Sequence, residues 1–118
     1  MNMDEIKRKI QKFASDRDWN KFHSPKNLIM ALSSEVGELS DIFQWLTEEQ
    51  SKKDNISEKN LELAKQEMAD ILIYLIRISD KLGVDLEKEV LNKIKLNEKK
   101  YPIDISKGNA VKYNRRNE

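Results

Sequence analysis

Apolar residues recur along this chain at the three- and four-residue steps of helices, and the elements can be placed from them. Ile6, Ile10, Phe13 and Ala14 share one face, with Asp4 as a cap, and predict a first helix ending near Asp16. The segment RDWNKFHS is aromatic and non-periodic. Ser24-Pro25 then pairs an N-cap with the residue favoured at the first helical position. A second helix runs from there to about Leu46, with the stripe Leu28, Leu32, Val36, Leu39, Phe43 and Leu46. The polar stretch TEEQSKKDNIS reads as a solvated connection that permits an antiparallel return. Ser57 caps a third helix that extends to Leu82 and is stopped by Gly83. Asp85 caps a fourth, carrying Leu86, Val90, Leu91 and Ile94 to about Lys99, where Tyr101-Pro102 ends it. The pattern therefore predicts an all-α fold, a four-helix-bundle-like protomer over residues 1–102, followed by a polar C-terminal arm over residues 103–118.

The third helix is unusual because its apolar residues Met68, Ala69, Ile71, Leu72, Ile73, Leu75, Ile76 and Ile78 surround the whole circumference. A helix apolar all round is buried all round. In a domain this small, its neighbours cover one side, and a second copy of the chain is the economical cover for the other. Composition agrees with that reading: 118 residues suffice for one core, and a hydrophobic fraction of 38% is thin for a self-sufficient globule. A homo-oligomer is expected. The absence of Cys removes disulfides, thiolate zinc sites and a Cys nucleophile. Lys and Arg number 22 against 21 Asp and Glu, a net charge of +1, so no global field gathers nucleic acid or acidic lipid. No run approaches the roughly 18 apolar residues of a membrane span, and the start lacks a signal-peptide apolar stretch. The expected compartment is the cytoplasm.

Four acidic residues stand apart from the mixed-charge surface runs. With about 100° per residue and Leu32 as origin, Glu35 and Glu38 fall at about −60° and −120°, adjoining the core stripe. On the third helix Glu67 and Asp70 interrupt an apolar surface, with Tyr74 between them on the wheel. Each pair is spaced i, i+3, which places both side chains on one helix face within reach of a common ion. Two antiparallel helices facing each other along these arcs bring four carboxylates together, a cluster costly through both desolvation and mutual repulsion. Any one of these acids could simply pair with Lys or Arg at the bundle rim; the four together favour a cation. All-oxygen ligation selects a hard ion, Mg²⁺ or Mn²⁺. A di-iron centre calls for a Glu-x-x-His motif on each of two helices. The single His, His23, lies outside any such motif.

SSEVGELSDIFQW and QEMADILIYL together read as Glu-x-x-Glu, 28 intervening residues, then Glu-x-x-Asp. With RDWNKFHSPKNL before the first motif, LNEKKYP after the second and KGNAVKY in the tail, the chain resembles the all-α nucleoside triphosphate pyrophosphohydrolases, the MazG-like superfamily, and within it the dCTP pyrophosphatase branch. The resemblance implies that Glu35, Glu38, Glu67 and Asp70 bind Mg²⁺ and that a nucleoside triphosphate is split into monophosphate and pyrophosphate. It also implies a nucleotide pocket using Trp19, Asn20, Lys21, Phe22, His23, Trp45 and Tyr74, and a tetramer or dimer of four-helix protomers. One departure is visible: the animal dCTP enzymes carry a His in the first helix where this chain has Ile10.

The residues add detail of their own. Hydrolysis at the α-phosphorus needs crowded phosphate oxygens neutralised and a deprotonated water placed in line with the leaving pyrophosphate. A carboxylate not wholly used in coordination can activate that water, and Glu38 is assigned this dual role. Trp19, in a non-periodic loop, and Trp45, on the carboxylate side of the second helix, are candidate stacking walls for a base. Phe22 is explained as well by packing. Lys21, Lys100 and Lys112 are candidate phosphate contacts. The NEKKYP run suggests that Asn97, Lys100 and Tyr101 reach the site, across a subunit boundary if need be. A catalytically silent helical oligomer that binds nucleotides or a protein partner is the competing reading.

Overall fold

The computed structural model describes residues 1–112 and 114; Tyr113 and residues 115–118 of the expected arm lie outside them. The elements are α1 (Met3–Asp16), a 3₁₀ turn (Asn20–Phe22), α2 (Pro25–Phe43), α3 (Glu58–Lys81), α4 (Leu86–Lys100) and a short α5 (Ile103–Ser106). No strand occurs among the described residues. The chain divides into two compact units, Met1–Gly83 and Val84–Glu118.

In the first unit α3 is the central element, packed against both α1 and α2. The direction of the α2–α3 pair follows from its contacts. His23, just before α2, meets Arg77 near the end of α3, whereas Glu35 meets Glu67, so the helices run antiparallel. The buried apolar core among the described residues is small: Ala14 from α1, Leu28 from α2, and Ala64, Ile76 and Ile78 from α3.

Caps match the sequence signals at three of four helix starts. Ser24, Ser57 and Asp85 each accept a hydrogen bond from the backbone N–H three residues on. At α1 the cap is Asn2, which accepts from Glu5 N at 3.0 Å, and Asp4 lies inside the first turn, where its charge suits the helix dipole. Ser57→Ala should cost about 1 kcal/mol, because one of the orphan amides of α3 loses its partner. A fall in the urea midpoint with unchanged m checks this.

Other boundaries differ from the sequence reading. α2 stops at Phe43, and Trp45 and Leu46 belong to the turn that follows. α3, by contrast, ends where the sequence places its stop, through Gly83, whose φ of +67° is the left-handed conformation glycine adopts without a Cβ penalty. The loop after α1 turns at Asp18, φ 56°, a residue type that tolerates this region.

α3 is buried on only part of its circumference within one chain. Met68, Ile73 and Leu75 are exposed, as are Met30 and Val36 on α2. The expectation that α3 is covered on every side is therefore not met by the protomer alone. In the second unit, α4 exposes Val90, Leu91, Ile94 and Leu96. The polar arm contains α5, which the residue pattern did not predict: Pro102 sets up the turn, and Ser106 N and Lys107 N bond back to Pro102 O and Ile103 O.

Candidate active site

One turn of α2 presents Glu35 and Glu38 on the same face, and the facing turn of α3 presents Glu67. An oxygen from each of these carboxylates lies within 4.8 Å of the others. Glu38 is exposed, while Glu35 and Glu67 are half-buried. Glu67 Oε2 is buried with no hydrogen-bond partner. The Glu35 pKa is raised, first because its proton bonds Glu67, then by desolvation, and further by the charges of Glu67 and Asp70; a bond to Glu38 opposes the shift. Crowded carboxylates, one with an orphaned buried oxygen, form the donor set of a hard divalent cation. The residues present fit such an ion.

Asp70 stands outside this triad. It is exposed, lines the neighbouring cavity, and its charge raises the pKa values of both Glu35 and Tyr74. For Tyr74 the leading cause is burial.

The linkage sign for Glu35 gives a test. A carboxyl whose folded pKa lies above its unfolded value of 4.5 contributes stability below that value, and loses it as pH rises through the folded pKa. In EDTA at pH 7.5, Glu35→Gln should therefore raise the melting temperature, and this gain should vanish near pH 4. With Mg²⁺ present the order should reverse, because a ligand to the ion is lost. Parallel thermal melts by circular dichroism check both arms.

Beside the carboxylates, within the first unit, lies a cavity of about 450 Å³. Ile6, Ile10 and Phe13 of α1 and Ile73 of α3 supply its apolar walls, and Trp19, His23, Glu35, Asp70, Tyr74 and Arg77 complete the lining. Trp19 is held edge-on to Phe13, at 5.7 Å between ring centroids, and its backbone N–H donates to Ala14 O. His23 Nδ1 accepts from Arg77 Nε at 3.3 Å. Its pKa is lowered by burial and by the charges of Arg77 and Lys81. Asn20 Oδ1 accepts from Arg77 Nη2, and Asn20 Nδ2 donates to Ser15 Oγ at 3.1 Å.

The structure thus draws Trp19, His23, Glu35, Asp70 and Tyr74 around one cavity and joins Glu38 and Glu67 to its acidic edge. Asn20 reaches it through Arg77. Within the first unit, Lys21, Phe22 and Trp45 do not line this cavity. Lys21 pairs with Asp18 at 3.0 Å and lies 5.3 Å from the centre of the exposed Phe22 ring. Trp45 is 85% exposed beyond the end of α2. Asn97, Lys100 and Tyr101 belong to the second unit, where Tyr101 N bonds Asn97 O at 2.8 Å. Lys112 lies in the described part of the arm, outside any helix.

Sequence reasoning missed Arg77 as a site residue. The available signal was a lone cation inside the apolar run of α3. Ile10 and Phe13, on the apolar face of α1, wall the cavity.

Comparison with known proteins places this geometry in context. The profile of the MazG-like family matches residues 30–115. Bovine dCTP pyrophosphatase 1 is 40% identical over 111 residues, covering 94% of this chain and 66% of that protein. Human dCTP pyrophosphatase 1 is 37% identical over 111 residues, covering 94% of this chain and 65% of that protein. The chain thus spans just under two thirds of the length of these relatives. The crystal structure of a pyrophosphatase from Archaeoglobus fulgidus superposes with a TM-score of 0.78 at 35% identity, covering 86% of this chain and 94% of that one.

Proposed function

This chain belongs to the MazG-like family, and from that premise we propose that it is a Mg²⁺-dependent nucleotide pyrophosphohydrolase. Its substrate is dCTP or a related pyrimidine deoxynucleoside triphosphate, which it converts to the monophosphate and pyrophosphate. The observation that carries this reading is the carboxylate triad Glu35, Glu38 and Glu67 at the edge of a cavity large enough for a nucleoside. The similarity to the dCTP pyrophosphatases supports the choice of substrate.

Glu35, Glu38 and Glu67, with Asp70 beside them, would hold the ion. When bound, Mg²⁺ would neutralise the triphosphate oxygens and lower the barrier to attack on phosphorus. The protein's own part is to place the nucleophile. Glu38, the exposed member of the triad, is the carboxylate that water reaches; it orients the water and takes its proton as the oxygen attacks the α-phosphorus. The bond from that phosphorus to the bridging oxygen breaks, and pyrophosphate leaves with the electron pair. Trp19 and the apolar walls shelter the base, and Tyr74, kept protonated by burial and by Glu35 and Asp70, offers a hydroxyl for the sugar or α-phosphate.

We also propose that residues 1–102 form the catalytic part, with 103–118 as an arm, and that protomers assemble as a cytoplasmic homo-oligomer, a tetramer ahead of a dimer. The exposed Met68, Ile73 and Leu75 of α3 and the exposed stripe of α4 support assembly. In such an assembly Trp45, Asn97, Lys100 and Tyr101 can serve a site on a neighbouring copy. Light scattering tests the assembly.

The activity is tested by incubating the protein with each standard and several base-modified nucleoside triphosphates, with Mg²⁺ or with EDTA. Pyrophosphate should appear with dCTP in Mg²⁺ and not in EDTA. Tight nucleotide binding without turnover would instead identify a silent binding protein.

A further inference from the structure

Arg77 is 4% exposed, a cation that α3 carries into the inner wall of the cavity at the cost of desolvation. Its surroundings specify how it is used. Nε donates to His23 Nδ1 at 3.3 Å, Nη1 to Asp80 Oδ2 at 3.4 Å and Nη2 to Asn20 Oδ1. Asp80 is itself held by Gln11 Nε2 at 2.7 Å, with Lys7 Nζ at 4.0 Å. The acceptors around Arg77 are therefore already engaged, whereas a guanidinium has five N–H groups and these contacts use three. Since His23 Nδ1 accepts a hydrogen bond, the single proton of the uncharged ring sits on Nε2, which makes its other nitrogen a donor too. Arg77 and His23 both line the cavity, and what remains to them is donors only.

We propose that Arg77 determines base specificity: it positions His23 with its proton on Nε2, and the remaining N–H groups of the two side chains form a donor-only wall that takes the adjacent O2 and N3 acceptors of cytosine. Uracil and thymine carry O2 beside an N3–H, so one donor of the wall would face another, and the buried group left unpaired penalises them. The apolar walls, Ile10 and Phe13 among them, take the ring faces and are indifferent to the base. The lowered His23 pKa agrees with an uncharged ring at neutral pH. This inference rests on the proposed hydrolysis of a pyrimidine nucleotide and deepens it.

The chain has one His, so its ring nitrogens give an unambiguous signal in a long-range ¹H–¹⁵N spectrum. In the wild type at pH 7.5 that spectrum should show the Nε2–H tautomer, and kcat/KM for dCTP should exceed that for dUTP by at least about tenfold. In Arg77→Met the two tautomers should mix and the preference should fall to within about threefold, mainly through KM for dCTP. Arg77→Lys keeps the charge without the planar fork and should lose the preference as well. An unchanged preference in either folded variant overturns the proposal, as does a wild type without one.

A further measurement needs neither a variant nor turnover. Deoxycytidine should shift the His23 ring signals of the wild type at concentrations where deoxyuridine does not, and equal shifts overturn the proposal. If the wild type hydrolyses no triphosphate yet separates the two nucleosides in this way, the hydrolase reading fails and the inference about Arg77 stands.

Discussion

Glu38→Gln should lower dCTP turnover at saturating Mg²⁺ by at least about two orders of magnitude, equivalent to about 2.7 kcal/mol of transition-state stabilisation. The amide occupies the same volume and can still orient a water, but it cannot take a proton. The loss should therefore fall on kcat rather than on KM. Glu38 is exposed and belongs to the triad without being part of the packed core, so the far-UV spectrum and cooperative melting should persist. Glu35→Gln and Glu67→Gln should behave differently. Both residues are half-buried at the junction of α2 and α3, and their loss should first raise the Mg²⁺ concentration needed for half-maximal rate. A Glu38→Gln rate equal to wild type at saturating Mg²⁺ would remove Glu38 from the chemistry.

Ile76→Ala should cost about 2–5 kcal/mol. Ile76 is 1% exposed on α3, the helix that packs against both α1 and α2, and with Leu28 it is one of the two large side chains fully buried among the described residues. A core with so few complete burials has little to collapse into the space left behind, so both the transfer and the cavity terms apply. Urea titration should show a lower midpoint with an unchanged slope. Met68→Ala, on the exposed part of the same helix, should leave the protomer's stability almost intact and should act instead on assembly. A small effect of Ile76→Ala would mean that α3 is held mainly by contacts with other copies.

Much of this was legible in the residues because its causes are local. Ser24, Ser57 and Asp85 declare helix starts through side-chain chemistry alone, and the i, i+3 spacing of Glu35 and Glu38 follows from helix geometry whatever the helix packs against. The meeting of Glu67 with those two required only that α2 and α3 run antiparallel, as their polar connection permits. Asp70 marks the limit of local spacing. Its spacing from Glu67 is right, yet the cluster within 4.8 Å holds three carboxylates without it, because a shared helix face fixes direction only to within tens of degrees. Arg77 was hidden for a different reason. Its partners Asn20 and His23 come from segments 57 and 54 positions away, Gln11, which holds its third partner Asp80, lies 69 positions from that residue, and no periodicity encodes such contacts. Trp45 was placed on a helix that ends two residues before it, since boundary residues answer to weak signals at the C-terminus of α2.

The central claim is attack by water on the α-phosphorus at the triad of Glu35, Glu38 and Glu67. Turnover of dCTP in ¹⁸O-labelled water, followed by ³¹P spectroscopy, tests it directly, because the isotope shifts the resonance of whichever phosphorus accepts the new oxygen. One ¹⁸O is expected in dCMP and none in pyrophosphate. Label in pyrophosphate, or dCDP with labelled orthophosphate as products, would contradict it.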